Sequence, residues 1–450
     1  MARIAIVGSG FKGIIDSLLL SKNDNNQITI FEKSSIFGGI SRSKRILGFN
    51  VDSGVHMFDS VQKELFELIN ELMNGEVHSI DFNSRSSYNN VVTKGFGLPD
   101  LSSCDNSIKK KITQELIELA AEPENSSNSI KNSQSLHSLF INKYGKTAGD
   151  IFSSIFEKVY NIKAKECDKN ALNRTSLGRL KYLGDEEMKV LKSNNYLDNH
   201  LAARRSTIGK VDDYVSFYPS DGNAMGGFCD KAYQVLKDRG VEINLEANIK
   251  IINSNHSLQI QHENTKKEFD HIIWAADRID PLLQCLNINE SIDSNIHHTP
   301  MIFAIIKTER ESVEDFTYMQ NFSKGSITFR SSATGVYSNQ INSKGETFIT
   351  VECPASKEKL NYINHPETIQ CIWNEVKDIK IIDSTAKLID YKLIPIPSSF
   401  KVPMLGFSDT YEKVMDQILP LRNKISLHSP KLFFRRELYQ ECLELTSNFV

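Results

Sequence analysis

Short apolar runs and helical spacing alternate at the start of this chain. Residues 3–7 are apolar and rich in β-branched side chains, which predicts a short strand of a parallel sheet, buried on both faces. An apolar helix follows through Ile14 to Leu20, and residues 28–31 predict a second strand that ends at Glu32. The order strand, helix, strand over about 30 residues predicts a βαβ unit.

The stretch from residue 85 to residue 205 has mostly helical periodicity. Apolar positions recur with helical spacing over residues 108–119 and again over residues 136–159. The polar residues 121–135 between them predict a loop or a mobile linker. We therefore expect a mostly helical insertion over residues 85–205.

An α/β pattern returns after this insertion. A helix is predicted over residues 228–239, because Gly240 stands just past its end, where glycine commonly ends a helix. The pattern also predicts strands at 242–245, 249–252, 258–260, 271–274, 301–306, 326–330, 347–352 and near 425. It predicts further helices at 366–376, at 411–419 and up to residue 445.

Length and composition restrict the functional classes. A chain of 450 residues predicts two to three domains. The net charge of -3 gives no case for binding nucleic acid, which needs a clustered basic face. The seven cysteines are scattered without a CxxC pair, so we expect neither a disulfide framework nor a metal site. With neither a signal peptide nor a membrane span in the pattern, we expect a cytoplasmic protein that acts on a small molecule.

The clearest motif is the glycine turn between the first strand and the first helix. In the sequence Gly8-Ser9-Gly10-Phe11-Lys12-Gly13, the first glycine permits a tight reversal. The second lets the backbone approach a pyrophosphate, and the third lets the helix pack on the strand. The N–H groups at the start of the helix then face the phosphates.

Glu32 strengthens this interpretation of the turn. It lies nineteen residues beyond Gly13, at the end of the second strand, where a carboxylate can accept both ribose hydroxyls. An acid at this position argues against a 2′-phosphate and hence against NADP. The alternative is an incidental glycine turn, since GxGxxG alone is a weak signal.

The residues after Glu32 distinguish FAD from NAD. Within residues 33–43, the pair Gly38-Gly39 lets the chain approach an extended ligand, and Arg42 could meet its pyrophosphate. Residues 49–58 follow, with the sequence Phe-Asn-Val-Asp-Ser-Gly-Val-His-Met-Phe. With these stretches the chain resembles the flavoprotein superfamily of amine oxidases, protoporphyrinogen oxidases, phytoene desaturases and UDP-galactopyranose mutases.

Three later stretches carry the same resemblance through most of the chain. Residues 217–227 are similar to the superfamily's Tyr-Pro-x-x-Gly segment. Residues 240–249 resemble the stretch whose backbone meets the adenine, and residues 269–276 resemble the next shared strand. The sugar-nucleotide and polysaccharide-associated branch is the nearest pattern within the superfamily.

The resemblance implies an α/β fold with FAD as the cofactor. We expect a discontinuous, Rossmann-like FAD-binding domain of the glutathione reductase type, a helical insertion and a β-sheet substrate domain. The expected FAD-binding domain comprises residues 1–84, 206–290 and 405–450. The expected insertion and the expected β-rich substrate domain comprise residues 85–205 and 291–404.

The resemblance also assigns site residues. His56 is expected beside the isoalloxazine, and Arg330 is expected to bind an anionic substrate, so these two are the catalytic candidates. Each has a plain structural alternative, because His56 could be a hydrogen-bonded loop histidine and Arg330 an ordinary sheet-edge charge. Lys158 is interpreted as a solvated helix residue rather than as a pocket lysine. The expected cofactor-binding residues are Gly8, Gly10, Phe11, Gly13, Glu32, Lys33, Gly39, Ile40, Ser41, His56 and Ile249.

The C-terminal segment departs from the superfamily. Relatives finish with a glycine-rich segment that brings backbone N–H groups to the flavin, whereas residues 428–436 contain a proline and no glycine. Three explanations follow: the flavin end is held differently, it is held loosely, or redox chemistry has been lost. The expected function is an FAD-dependent oxidoreductase acting on a nucleotide-sugar or glycan-pathway substrate. The alternatives are a non-redox flavoenzyme of the UDP-galactopyranose mutase type and an FAD-binding protein without turnover.

Overall fold

The structure is a computed structural model of the chain, and it describes residues 2–204, 214–253, 258–361, 363, 365–430, 432 and 434–449. The chain divides into two compact units. The first comprises Met1–Ile80, Lys210–Ser294 and Asp409–Val450, and the second comprises Asp81–Gly209 and Asn295–Ser408. Most residues of the expected helical insertion and of the expected β-rich domain fall within the second unit.

The described strands of the first unit have at most six residues, whereas three of those in the second unit are longer. In chain order they are β1 (Ala2–Val7), β2 (Asn26–Phe31), β3 (Lys44–Ile46), β4 (Phe49–Val51), β5 (Phe58–Gln62), β6 (Val77–Ser79), β7 (Ser84–Tyr88), β8 (Val91–Lys94), β9 (Tyr214–Pro219), β10 (Glu242–Asn244), β11 (Ile249–Asn253), β12 (Leu258–His262), β13 (Thr265–Phe269), β14 (His271–Trp274), β15 (Ile296–Glu309), β16 (Tyr318–Asn321), β17 (Arg330–Ser332), β18 (Glu346–Pro354), β19 (Asp390–Pro403) and β20 (Ile425–Leu427).

The α-helices lie between these strands along the chain, with five of the described helices in succession between β8 and β9. In chain order they are α1 (Phe11–Leu20), α2 (Lys63–Leu72), α3 (Asn106–Ala121), α4 (Pro123–Lys131), α5 (Leu136–Tyr160), α6 (Asp185–Leu191), α7 (Asn195–Asp198), α8 (Met225–Asp238), α9 (Asp280–Cys285), α10 (Thr334–Tyr337), α11 (Lys357–Leu360), α12 (Pro366–Asp378), α13 (Phe407–Ile418) and α14 (Arg435–Thr446). Among the helices so described, none combines the length and the apolar composition that crossing a lipid bilayer requires.

A five-stranded parallel sheet forms the centre of the first unit. Its strands lie in the order β10-β2-β1-β14-β20, and every neighbouring pair is parallel. Ile4, Ala5 and Ile6 of the central strand β1 are fully buried, as expected of a strand covered on both faces. The βαβ unit of β1, α1 and β2 is confirmed, and so is the mixed α/β, Rossmann-like architecture.

Among the described residues, three small antiparallel sheets complete the pairing around this core. Strands β11, β12 and β13 form the first, β5, β9 and β6 form the second, and β3 and β4 form the third. Helix α8 ends just before Gly240, whose φ of 78° lies in the left-handed region, so the predicted glycine at the helix end is confirmed.

The second unit is organised around a seven-stranded sheet. Its order is β19-β15-β18-β17-β16-β7-β8, and the pair β16–β7 is the parallel one. Ile369, Ile372 and Trp373 of α12 share a buried core with residues of β15 and β18. A second core joins α3 and α5 to Phe322 and Phe329. Each layer of helices thus buries an apolar stripe against the sheet.

The predicted loop or linker at residues 121–135 is wrong, because α4 (Pro123–Lys131) occupies most of it. Pro123 begins this helix at a position where a missing N–H has no cost. The hydroxyl of Ser126 donates to the carbonyl of Leu119 at 2.8 Å, and the amide of Asn142 donates to the carbonyl of Ser129 at 3.0 Å. Polar contacts to the neighbouring helices α3 and α5 therefore stabilise a segment that its composition alone made look unstructured.

Two further strand assignments need correction. Residues 84–94 belong to the sheet as β7 and β8 rather than to a helical region. Four successive buried residues of β7, Ser84 to Ser87, are polar, so hydrophobic periodicity could not detect this strand. The predicted strand at 326–330 lies instead at Arg330–Ser332. Just before it, the N–H groups of Ile327 and Thr328 donate to the carboxylate of Glu375 rather than to a neighbouring strand.

A buried histidine connects the last helix of the chain to the first. His428 lies just beyond β20, and its Nε2 is 2.7 Å from Oδ2 of Asp16 in α1. Its Nδ1 is 2.6 Å from Oε2 of Glu441 in α14. Because both partners are carboxylates, both ring nitrogens act as donors and the ring is an imidazolium. Burial opposes this charge, but the two carboxylates outweigh it and raise the pKa of His428 to about 9.

The stability of the first unit should therefore decrease in mildly alkaline solution. The folded pKa of about 9 exceeds the ordinary value of 6.5, so the imidazolium contributes fully below pH 6.5 and its contribution is lost as the pH rises through 9. We expect the stability difference between wild type and His428→Gln to fall by roughly 3 kcal/mol over this range, measured by urea unfolding. The exposed His365→Gln is the control, and a difference that stays constant with pH would contradict the assignment.

Candidate dinucleotide site

The glycine turn has the geometry that the sequence predicts. Gly8 has a φ of 106°, and a Cβ added there would lie 2.8 Å from the backbone nitrogen of Ala276. A Cβ on Gly13 would lie 2.0 Å from the carbonyl oxygen of Gly8. Both positions therefore exclude any side chain. Gly10 differs, since apart from its own chain neighbours no heavy atom of the described residues lies within 4 Å of the position its Cβ would take.

The N-terminus of α1 is suited to an anion. Gly10 is its N-cap, with ordinary extended backbone angles and no side-chain hydrogen bond to the cap. The first turn, which begins at Phe11, contains no acidic residue. The unsatisfied N–H groups and the positive end of the helix dipole therefore face the space beside Gly10, where a phosphate group would be stabilised.

Hydrogen bonds hold the carboxylate of Glu32 in one orientation. The N–H and the hydroxyl of Ser9 both donate to its Oε2 at 2.8 Å. The N–H of Ser34 donates to Oε1 at 2.7 Å. The carboxylate is half-buried, and each of its oxygens has room for another donor, because a carboxylate offers about four lone-pair sites. It is thus oriented in advance and able to accept hydroxyl groups.

The glycine pair crosses over the glycine turn. Gly38 and Gly39 have φ values of 112° and 56°, and the N–H of Gly38 donates to the hydroxyl of Ser9 at 3.2 Å. A Cβ on Gly39 would lie 3.2 Å from Cα of Gly10. A 3₁₀ turn then spans Gly39–Ser41, in which Ser41 is buried and the Ile40 side chain is 67% exposed. Two backbone segments without side chains therefore border the same space.

The loop after β4 contains a buried carboxyl group. The hydroxyl of Ser43 donates to Oδ1 of Asp52 at 2.6 Å, and the Tyr218 hydroxyl donates to Oδ2. Burial raises the pKa of Asp52 to about 6, although these hydrogen bonds act in the opposite direction. A carboxyl that titrates near neutral pH is suited to proton transfer. The same loop continues to His56, whose carbonyl accepts a hydrogen bond of 2.9 Å from the guanidinium of Arg435.

The cofactor-binding residues predicted from the sequence do not all lie together in the structure. The three glycines of the turn, Phe11, Glu32 and Gly39 lie together, with Ile40 and Ser41 following directly. Lys33 is exposed. Ile249 begins β11, and just before it the N–H of Ala247 donates to the carbonyl of Glu32 at 2.8 Å. Arg42, which could have met the pyrophosphate, forms an ion pair with Asp230 at 2.6 Å.

Arg330 lies in the second unit, where it already has an anionic partner. Its Nε and Nη2 donate to Oε1 of Glu352 at 2.8 and 2.6 Å, and its guanidinium carbon lies 5.8 Å from the centre of the Phe400 ring. The interpretation of Lys158 as a solvated residue is wrong. Its ammonium group donates to the carbonyls of Asn321 and Thr328 at 2.6 and 2.9 Å, and burial lowers its pKa to about 8.

Three groups of the first unit were missed by the sequence argument. They are the Asp52–Tyr218 pair, the Arg435 side chain, and the buried cluster of Asp16, His428 and Cys442. The donor atoms of this cluster lie within 4.8 Å of one another, so ligand types that are scattered in the sequence meet in the fold. No local signal connects residues so far apart along the chain.

The comparisons with known proteins agree with this geometry. A family model described as an NAD(P)-binding Rossmann-like domain matches residues 6–72. An uncharacterised protein in the nifH2 3′ region of Methanothermococcus thermolithotrophicus is 39% identical over 54 residues, which is 12% of this chain. The match spans about half of that relative's length, 51%.

Solved structures match over nearly the whole chain. A reduced UDP-galactopyranose mutase has a TM-score of 0.72 at 15% identity, covering 100% of this chain and 94% of the mutase. A protein from Exiguobacterium sp. 255-15 assigned as a protoporphyrinogen oxidase has a TM-score of 0.66 at 13% identity, covering 100% and 98%. A putrescine oxidase variant has a TM-score of 0.62 at 12% identity, covering 99% of both chains.

This chain has the fold of the solved UDP-galactopyranose mutase and putrescine oxidase structures. The resemblance noted in the sequence is therefore confirmed at the level of the fold. The Rossmann-like match and the glycine turn together indicate a dinucleotide cofactor. At these identities the solved structures establish the architecture and leave the reaction to be argued from the site.

Alanine substitutions of two glycines in the turn should differ in their effect on the free energy of unfolding. Gly13→Ala should lower the free energy of unfolding by roughly 2–4 kcal/mol, because its Cβ would overlap the Gly8 carbonyl oxygen. Gly10→Ala should cost less than about 1 kcal/mol, the difference between glycine and alanine at an N-cap. Urea denaturation of the two variants measures both effects, and equal losses would contradict the geometry described here.

Proposed function

We propose that this protein is an FAD-binding flavoenzyme and that the first unit holds the adenosine diphosphate half of the cofactor. The observation that carries the proposal is the arrangement of Gly10, Glu32 and Gly39 around one space beside the start of α1. That space offers free N–H groups to a diphosphate and a fixed carboxylate to a ribose. The fold shared with UDP-galactopyranose mutase and putrescine oxidase supports FAD over NAD.

Each residue of the site then has a defined task. Glu32 accepts the two ribose hydroxyls, and Ser9 holds its carboxylate in place. The backbone N–H groups that follow Gly10 receive the diphosphate. Gly39 allows the crossing segment to approach without a side chain, and Ile249 lies in the segment that we assign to the adenine. A 2′-phosphate would meet the negative charge of Glu32, so NADP does not fit.

We further propose that the enzyme is an oxidoreductase. When bound, FAD would supply a ring that accepts a hydride from a substrate carbon. His56 and the buried Asp52 belong to one loop, and Asp52 can hold or release a proton near neutral pH. The substrate class that we propose is a nucleotide sugar or a glycan-pathway compound, because that branch of the superfamily is the nearest in sequence pattern. All seven cysteines are free thiols, which fits the reducing cytoplasm.

Only part of the Arg330 guanidinium is available to a substrate. Its Nε and Nη2 are already used by Glu352, so a substrate anion would use the remaining edge of the guanidinium. The ion pair would then serve to hold that edge rigid. Arg330 thus stays a candidate contact for an anionic substrate, with Glu352 as its positioning partner.

A non-redox flavoenzyme of the UDP-galactopyranose mutase type is the second candidate. Its support is the match to a reduced mutase at a TM-score of 0.72 over the full chain. The two candidates make opposite predictions for the flavin. An oxidoreductase would lose the visible flavin absorbance when its substrate is added without oxygen, whereas a mutase would interconvert sugar ring forms with no net reduction. A protein that binds FAD and does neither would lack turnover.

Binding of FAD is tested first. The purified protein should have the visible absorption of oxidised flavin or acquire it with added FAD. We expect Glu32→Ala to weaken FAD binding about tenfold or more, since a charge-assisted hydrogen bond contributes about 1.5–3 kcal/mol. Titration of the apoprotein with FAD measures the dissociation constant, and Glu71→Ala, at an exposed helix position, is the control. A protein that takes up no FAD, or a Glu32→Ala variant with unchanged affinity, would overturn the assignment.

A further inference from the structure

Arg435 is a partly buried cation, and the described residues do not give its guanidinium a complete set of partners. Arg435 is the first residue of α14, and its Nη2 donates to the carbonyl of His56 at 2.9 Å. Its Nη1 is also buried, but no described residue accepts a hydrogen bond from it. Arg435 forms no ion pair among the described residues, since none of their carboxylate oxygens lies within 4.0 Å of its guanidinium nitrogens. A buried guanidinium with a vacant donor is costly unless an anion is available to it.

The nearest acidic group does not supply that anion. Asp52 raises the pKa of Arg435 by its charge, but burial has the larger effect and lowers this pKa to about 10. Both carboxylate oxygens of Asp52 are already hydrogen-bonded, by Ser43 and by Tyr218. The charge of Arg435 is therefore only partly compensated within the first unit.

The position of Arg435 connects it to the dinucleotide site. Its guanidinium carbon lies 4.6 Å from the centre of the Phe11 ring and 4.5 Å from the centre of the Phe58 ring. Phe11 directly follows Gly10 at the start of α1. On its other side, Arg435 donates to the backbone of His56. The cation thus lies between the glycine turn, which the proposed function assigns to the diphosphate, and the loop of His56, where the sequence resemblance implies the isoalloxazine.

We infer that the guanidinium of Arg435 binds an anionic group of FAD, through the Nη1 donor to which no described residue is hydrogen-bonded. This inference rests on the proposed function. Two groups of FAD have the required chemistry, the diphosphate and the pyrimidine edge of the reduced ring, and both suit a planar, permanently charged donor. The two aromatic rings hold the guanidinium in place by cation–π contact, so that little ordering is needed on binding.

Arg436 provides a matched control. It is the next residue of the same helix and has the same charge, but its side chain is exposed and its guanidinium carbon lies 5.8 Å from the ring of Tyr214. Arg436→Gln therefore changes the net charge of the protein as Arg435→Gln does, without removing the buried donor. A long-range electrostatic effect would be equal in the two variants, whereas direct binding would be specific to Arg435.

The experiment measures three quantities: FAD binding, ADP binding and the midpoint potential of the bound flavin. It compares them in wild type, Arg435→Gln, Arg435→Lys and Arg436→Gln. We expect Arg435→Gln to weaken FAD binding about tenfold or more and Arg436→Gln to stay within about twofold of wild type. A parallel loss of ADP affinity assigns the contact to the diphosphate. Unchanged ADP affinity with a more negative potential assigns it to the reduced ring, because the lost cation stabilises the reduced form.

A further measurement distinguishes a role of Arg435 in FAD binding from a purely structural role. FAD raises the unfolding temperature of a protein that binds it, and this increase should shrink in Arg435→Gln whatever the stability of its apoprotein. If Arg435→Gln fails to fold, Arg435→Lys decides: a loss of about threefold or more in FAD affinity supports the inference, because lysine cannot reproduce the guanidinium fork. Affinity and potential equal to those of Arg436→Gln would overturn it. A wild-type protein that binds no FAD would instead overturn the proposed function.

Discussion

The contact between Gly13 and the carbonyl of Gly8 is the constraint on which the rest of the site depends. Because neither position tolerates a Cβ, α1 packs directly against the end of β1. Its N–H groups are thereby presented at the carboxyl edge of the parallel sheet, where ligands of α/β folds bind. Ser9, held inside the same turn, orients Glu32 and also accepts the N–H of Gly38. One steric requirement thus positions the dipole, the carboxylate and the crossing segment.

Charge inside the first unit is distributed unevenly. His428 is fully compensated, since one carboxylate faces each ring nitrogen and the pKa of the imidazolium is raised. Arg435 has one carbonyl and two aromatic rings. The first arrangement fastens the last helix to the first and stabilises the fold. The second leaves Nη1 without an acceptor among the described residues, as expected where binding rather than stability determined the residue.

His428 and Arg435 both belong to the C-terminal segment that departs from the superfamily. It has no glycine between positions 428 and 436, and its proline offers no N–H. His428 anchors the segment to α1, and Arg435 begins the helix that follows. Side chains thus offer the positive charge and the attachment that backbone N–H groups of a glycine-rich segment would otherwise provide. Of the three explanations for this departure, a flavin end held in a different manner is the one that we propose.

The sequence determined the features whose causes are local. The apolar run of β1, the glycine spacing and the acid at position 32 each follow from constraints within about 30 residues, so the βαβ unit and the close packing of the glycine turn were predictable. Periodicity failed where polar residues are buried, as in Ser84 to Ser87 of β7 and in helix α4, because their partners lie in other elements.

Only the tertiary structure decided which distant groups meet. Arg435 joins Phe11 and His56, and Asp52 joins Tyr218, although long stretches of chain separate the members of each set. The same holds for Glu352, which pairs with two nitrogen atoms of the Arg330 guanidinium. The reason is physical: hydrogen bonds and charge pairing act over a few ångströms in space, and spacing along the chain carries no record of them.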